Sequence, residues 1–197
     1  MNAYDTLNIL LKKNLGYLRT ADAEEAGVSR TVLGSFVQEN NLERVARGLY
    51  LEQDVWRDSL FEAQFRYPRL VFSHETALYL LDLTDRVPTH ITVTLETSSG
   101  ATRLREEGIK TYRIKQELFA VGLSEVETLF GHHVRCYNAE RTICDIVRSR
   151  RNVEIQDMQT AIRDYLKSKQ KNIPLLLRYA KQFSVEKIIR QYTEVLL

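Results

Sequence analysis

Residues 20–51, TADAEEAGVSRTVLGSFVQENNLERVARGLYL, decide how this chain is read. Thr20 offers a side-chain oxygen to the free N–H groups of a short helix over Ala21–Ala26. Gly27 supplies the left-handed residue that ends that helix. Ser29 then caps a second helix, Arg30–Glu39, in which Val32, Leu33, Phe36 and Val37 recur at helical spacing and form one apolar face. Asn40-Asn41 breaks it. Leu42–Val45 and Leu49–Leu51 are β-formers on either side of a turn at Ala46-Arg47-Gly48, where Gly48 tolerates the positive φ of a tight hairpin. The order is helix, turn, helix, two-stranded wing, an arrangement that projects its second helix into a major groove.

With the inner face of the second helix taken by the apolar set, the outer face carries Arg30, Thr31, Gly34, Ser35 and Gln38. Arginine pairs bidentately with guanine, glutamine with adenine, and serine or threonine with base edges or phosphates. Ser29, Arg30, Thr31, Ser35 and Gln38 are therefore the DNA-contact candidates on this helix. Arg44 and Arg47 in the wing are placed to hold the sugar–phosphate backbone. Gly34 costs roughly 1 kcal/mol relative to alanine in a helix. On an exposed face it marks either close approach of another backbone or a neutral substitution.

Charge is unevenly spread. Residues 1–55 carry six lysines and arginines against eight acids, a net of −2, whereas residues 141–197 carry twelve against six, a net of +6. Affinity for DNA comes mainly from phosphate neutralisation, so a wing domain of this charge gains from a basic neighbour. Arg148, Arg150, Arg151, Lys167, Lys169 and Lys171 are the candidate phosphate contacts in that neighbour. The alternative is that they form an ordinary solvated helix surface.

The remainder reads as an α+β domain, giving a division into 1–55, winged helix-turn-helix, and 56–197, strands first and then a C-terminal group of helices. A helix ends before Pro68, and Ser73 caps another over His74–Leu81. Strands follow at His90–Leu95, Lys110–Ile114, Glu127–Phe130 and Val134–Tyr137, with Gly131 at a hairpin. Helices close the chain at Ala139–Arg148, Glu154–Lys167, Pro174–Phe183 and Val185–Leu196, the last capped by Ser184. Ahead of the winged motif, Tyr4, Leu7, Leu10 and Leu11 mark an amphipathic helix that packs beneath it. No apolar run reaches membrane-spanning length and the N-terminus lacks a signal-peptide core, so a cytoplasmic protein is expected.

No catalytic constellation stands out. His132-His133 fall at the hairpin, on opposite faces of a strand, and read as surface or turn residues rather than ligands of one metal. His74-Glu75 lacks the second histidine of a zinc-protease helix. Cys136 and Cys144 have no metal spacing, and Cys144 sits in an apolar helical pattern as a buried small residue. Arg141 and Asp145 read as a helix-surface ion pair worth tenths of a kcal/mol. Glu140 and Asp145 face different ways, and Ser98-Ser99-Gly100-Ala101 lacks the pattern of a phosphate loop. No cofactor, metal or enzymatic activity is expected.

The segments RTADAEEAGVSR and LERVARGLY resemble the start of the AbiEi-family antitoxins of bacterial abortive-infection toxin–antitoxin pairs. Downstream, FSHETALYLLDL, HITVT and AERTICDIV resemble that family's second domain, so the likeness runs from about Leu7 to the C-terminal helices. It implies two separable jobs. The winged domain would bind inverted repeats in its own promoter, two protomers per operator, and repress it, with Ser29, Arg30, Thr31, Ser35, Arg44 and Arg47 at the matching positions. The second domain would counter a nucleotidyltransferase-like toxin without a stable complex, the type IV arrangement. Ala46 departs from the more basic wings of the family. The competing reading is a protein-interaction module that holds a toxin directly, with the winged motif only structural.

Overall fold

The computed structural model describes residues 2–196, and the chain divides into two units, Met1–Pro68 with Glu127–His133, and Arg69–Val126 with Val134–Leu197. The first unit thus runs to Pro68 rather than 55 and takes in a short excursion from far along the chain.

In the first unit, α1 (Ala3–Lys13) opens on a reciprocal cap between Asn2 and Asp5 and buries Leu7 and Leu11. A short strand β1 (Tyr17–Arg19) precedes α2 (Thr20–Glu25) and α3 (Arg30–Glu39). The wing is β2 (Glu43–Ala46) and β3 (Leu49–Leu51), followed by α4 (Ser59–Arg66). Leu7, Leu11, Leu18, Ala23, Val28, Leu33, Phe36 and Leu42 form the core under α1, α2 and α3. Burying Leu33 and Phe36 contributes about 2 kcal/mol each, which offsets the low helix propensity of Gly34.

Two expectations are corrected here. The wing has three strands, in the order β1-β3-β2, with Tyr17 opposite Leu51 and Arg19 opposite Leu49. β1 is three residues long, too short to display alternation, and exists through its pairing with β3. Because the strand ends at Arg19, Thr20 is the first residue of α2 rather than its cap, and no side chain caps that helix. The Thr20 N–H instead donates to the Gly48 carbonyl at 2.9 Å, tying the helix start to the wing turn. Gly27 and Gly48 have φ of +81° and +80°, as the turns require.

The second unit begins with β4 (Val71–Phe72), α5 (His74–Leu80), β5 (Thr92–Glu96), α6 (Thr102–Glu106) and β6 (Lys110–Ile114). It continues with α7 (Gln116–Phe119), β7 (Leu123–Glu127), β8 (His133–Tyr137), α8 (Ala139–Arg148), α9 (Ile155–Lys167), α10 (Ile173–Gln182) and α11 (Glu186–Leu196). The sheet order is β6-β5-β4-β8-β7; β4 runs antiparallel to β5 and parallel to β8, and β5 parallel to β6. The strand expected at Glu127–Phe130 lies earlier, at Leu123–Glu127, because Thr128 to Gly131 form the turn. Ser73 precedes α5 but does not cap it, since its hydroxyl is engaged by Thr94 and His74. Ser184 lies in the left-handed region at φ +58° and stands two residues before α11.

Nearly every residue of α8 is buried, packed among Ile162, Tyr165, Leu176, Ala180 and Phe183 of the following helices. That burial overturns the reading of Arg141 and Asp145 as a surface pair. Both are enclosed, Arg141 Nε donating to Asp145 at 2.9 Å. The guanidinium lies between the Tyr137 and Phe183 rings at 4.0 and 4.1 Å and donates from Nη1 to the carbonyls of Leu118 and Val121. Breaking one side of a buried pair costs about 3–5 kcal/mol, far more than the tenths of an exposed pair. Gly122 makes room for it: a Cβ there would stand 2.5 Å from Arg141 Cβ.

Candidate nucleic-acid interface

The geometry of α3 follows from its apolar stripe. Leu33 and Phe36 are buried, Val32 and Val37 pack beside them, and Arg30, Thr31, Gly34, Ser35 and Gln38 are consequently all exposed. Ser29 fills its expected capping position, its hydroxyl accepting from the Val32 N–H at 3.3 Å, so it serves the helix before any ligand. Among the described residues, leaving aside its chain neighbours and its own helix backbone, nothing comes within 4 Å of a Cβ built on Gly34. The close approach that glycine permits is therefore not made by this chain's own backbone. Arg30 is drawn back toward Glu24 of α2 in a short ion pair, with its side chain otherwise solvent-exposed.

Arg44 and Arg47 are exposed, and among the described residues neither has a carboxylate within ion-pair distance. Arg44 stands opposite Tyr50, which packs on the helical core; the register then slips at Val45. A bulge of this kind adds local twist, and it falls just before the turn that carries Arg47. As a whole the unit is acidic: eight lysines and arginines against eleven carboxylates, a net of −3, leaving +5 on the second unit. On α3 the only acid is Glu39, at its C-terminal end, so the outward face is cationic and polar within an acidic unit.

The six basic candidates of the second unit do not form one patch. Arg148, Arg150 and Arg151 lie at the end of α8 and in the turn before α9, while Lys167, Lys169 and Lys171 lie at and beyond the far end of α9. That helix has thirteen residues, a length of about 20 Å. Arg150, Arg151, Lys167 and Lys169 are exposed; Arg150 Nη1 also donates to the Val147 carbonyl. Arg148 is half-buried, over the Phe183 ring.

A buried polar set in the first unit was not foreseen from sequence. Asp58 caps α4, its Oδ1 accepting from the N–H groups of Leu60 and Phe61 at 3.1 and 3.0 Å. Its Oδ2 accepts from Thr128 Oγ1 at 2.5 Å and meets His132 Nδ1 at 2.9 Å. The Asp58 N–H donates to the Tyr17 hydroxyl, which donates to Glu62; Arg57 forks onto the same carboxylate. Burial and the Glu62 carboxylate push the Tyr17 hydroxyl well above its usual range. His132 is thus an enclosed residue stacked on Phe61, and only His133 matches the surface reading. An aspartate ahead of Leu60-Phe61 signals a cap; partners 70 and 74 residues away leave no local trace.

Elsewhere the chemistry is subdued. Burial raises both thiols, Cys144 to about 12 and Cys136 beyond, which removes them as ready nucleophiles. A 300 Å³ cavity holds Glu75, Arg86, Lys110, Glu154 and Asp157, but Arg86 pairs with Glu154 and Asp157, and Lys110 with Glu75. Among the described residues, no three His, Cys, Asp or Glu side chains are placed to hold a metal ion, and no helix is long and apolar enough to cross a membrane.

Residues 5–53 match the family described as "Transcriptional regulator, AbiEi antitoxin". No curated protein matches the chain. Among solved structures, the RV2827C protein from Mycobacterium tuberculosis is similar in fold at 13% identity, with a TM-score of 0.59 over 92% of this chain and 72% of that one.

Proposed function

We propose that this chain, whose residues 5–53 are of the AbiEi antitoxin regulator type, represses its own operon by placing α3 in a major groove of promoter DNA. The observation that carries the proposal is the outward face of α3. Arg30, Thr31, Ser35 and Gln38 are exposed around a glycine that faces open space, and of the four only Arg30 has an ion-pair partner among the described residues, Glu24. Arg30 reads a base after release from Glu24, Gln38 and the hydroxyls complete the contacts, and Arg44 and Arg47 hold backbone phosphates. The operator is an inverted repeat taking two protomers, because half-site symmetry mirrors protein symmetry.

The second unit, net +5, supplies additional non-specific attraction through Arg150, Arg151, Lys167, Lys169 and Lys171. It also carries the antitoxin activity, against a nucleotidyltransferase-like toxin met without a stable complex. In this reading the protein works in the cytoplasm, in abortive infection and phage resistance, and performs no catalysis.

The test is fluorescence anisotropy of the full chain on its upstream DNA across a salt series. Arg47→Ala is expected to weaken binding to all sequences and flatten the log–log salt slope by about one, the signature of one lost phosphate contact. Arg30→Ala is expected to relax base preference. Absence of specific binding, or binding indifferent to salt, refutes the repressor role. Together with co-purification of a stable toxin complex, that result makes the chain a toxin-holding module, a reading the winged unit's net −3 favours.

A further inference from the structure

A separate cleft in the second unit, about 520 Å³ in volume, lies between the end of β6, α7 and the α10–α11 turn. Arg113, Lys115 and Arg148 line it against a single acid, Glu117, over an apolar floor of Leu118 and Phe183. Two of the cations are positioned in advance. Arg113 Nη1 donates to the Thr97 carbonyl at 2.9 Å, which leaves its other nitrogens free. The Arg148 guanidinium rests 5.9 Å from the Phe183 ring centre, and no carboxylate among the described residues lies within ion-pair distance of it. The Lys115–Glu117 contact, 3.9 Å between two largely exposed groups, neutralises little. Behind the floor, the enclosed Arg141 holds Leu118 and Phe183 in place through a hydrogen bond and its stacked face.

We infer that this cleft binds a phosphoryl group, held by Arg113, Lys115 and Arg148. Three cations converge on one cavity with a net charge of +2. A carboxylate offers one charge and two acceptor oxygens; a phosphoryl group offers up to two charges and three strong acceptors, the better match for two guanidinium forks and an ammonium. The group arrives on a free nucleotide or polyphosphate, or on a nucleic-acid backbone. The cleft and the winged unit are independent in this respect: loss of operator binding by α3 variants leaves phosphoryl binding intact, and loss of the cleft leaves operator readout intact.

The experiment is isothermal titration of the full chain, at fixed ionic strength, with inorganic tripolyphosphate, with ATP, and with a duplex lacking the operator. The same titrations on Arg148→Ala, Arg113→Gln and Lys115→Ala complete it. Each variant is expected to weaken binding about tenfold, the usual worth of one charge-assisted contact. Lys115 is exposed, so its substitution tests the site even where Arg148→Ala disturbs packing on Phe183. Variant-sensitive binding of tripolyphosphate or ATP assigns the site to small phosphorylated ligands, and variant-sensitive binding of the duplex alone assigns it to nucleic acid. Binding that all three variants leave unchanged, or no binding of any probe, overturns the inference.

Discussion

Replacing Asp58 by alanine tests how the first unit is held together. The carboxylate is 1% exposed and serves four donors: two backbone N–H groups of α4, the Thr128 hydroxyl and the His132 ring. Loss of the cap costs about 1 kcal/mol. Stranding the buried hydroxyl and imidazole donors adds about 1–3 kcal/mol each, not fully additive. We expect a total of about 3–5 kcal/mol. The chain's one tryptophan, Trp56, is 82% exposed and would change little in emission, so urea unfolding is followed by far-UV circular dichroism, which reads the loss of the unit's helices. Asp58→Asn retains an oxygen for the two N–H groups and should lose less than half as much. A loss for Asp58→Ala of about 1 kcal/mol or less, the worth of a cap alone, refutes the claim that the Thr128 and His132 contacts stabilise the unit.

Further outcomes follow from individual residues. Gly34→Ala should raise thermal stability by about 0.5–1 kcal/mol, since the position is helical and unobstructed, while weakening operator binding in anisotropy; unchanged binding removes Gly34 from the interface. His74 is enclosed between Ser73, Ser149 and the Tyr112 ring, and burial holds its pKa well below 6.5, with Arg148 and Lys110 acting in the same direction. The unfolded chain then binds a proton that the folded chain excludes. Its contribution to stability is fully present above about pH 6.5 and falls by about 1.4 kcal/mol per unit below it. His74→Asn, which tolerates the φ of +50°, should flatten that acid limb in denaturation measured between about pH 7 and 5. Gly122→Ala should cost more than about 2 kcal/mol in urea unfolding, because a side chain at φ +75° meets Arg141; a smaller loss means α8 shifts freely.

The helix-turn-helix was legible because each boundary is punctuated locally: Gly27, Ser29, Asn40-Asn41 and Gly48 all act within a few residues. α8 was equally legible in extent, Ala139–Arg148, yet Arg141 within it was misjudged. A charged pair four residues apart looks the same on a solvated helix and on an enclosed one, and only the rings of Tyr137 and Phe183 decide between them. β4 was missed because two residues carry no periodicity; its existence depends on β5 and β8 on either side. The exposed face of α3 was predictable residue by residue, being what the apolar stripe leaves over. The separation of the basic residues by α9 was readable in principle from helix length. The phosphoryl cleft was not, since it joins Arg113, Lys115 and Arg148 across 35 positions of sequence.

The excursion at Glu127–His133 also sets an order of events during synthesis. Thr128 is made 70 residues after Asp58, a delay of roughly 4–14 s at ordinary translation rates. During that interval α4 has its cap but not its hydroxyl and imidazole donors, and the carboxylate remains hydrated. The winged unit reaches its final form only after β7 has been made and the chain has turned back. A nascent chain released early, or a protein truncated after Pro68, would lack the two partners that enclose the Asp58 carboxylate at the start of α4. The full stability of the first unit therefore belongs to chains that have passed residue 133, well after its last helix, α4, is complete at Arg66.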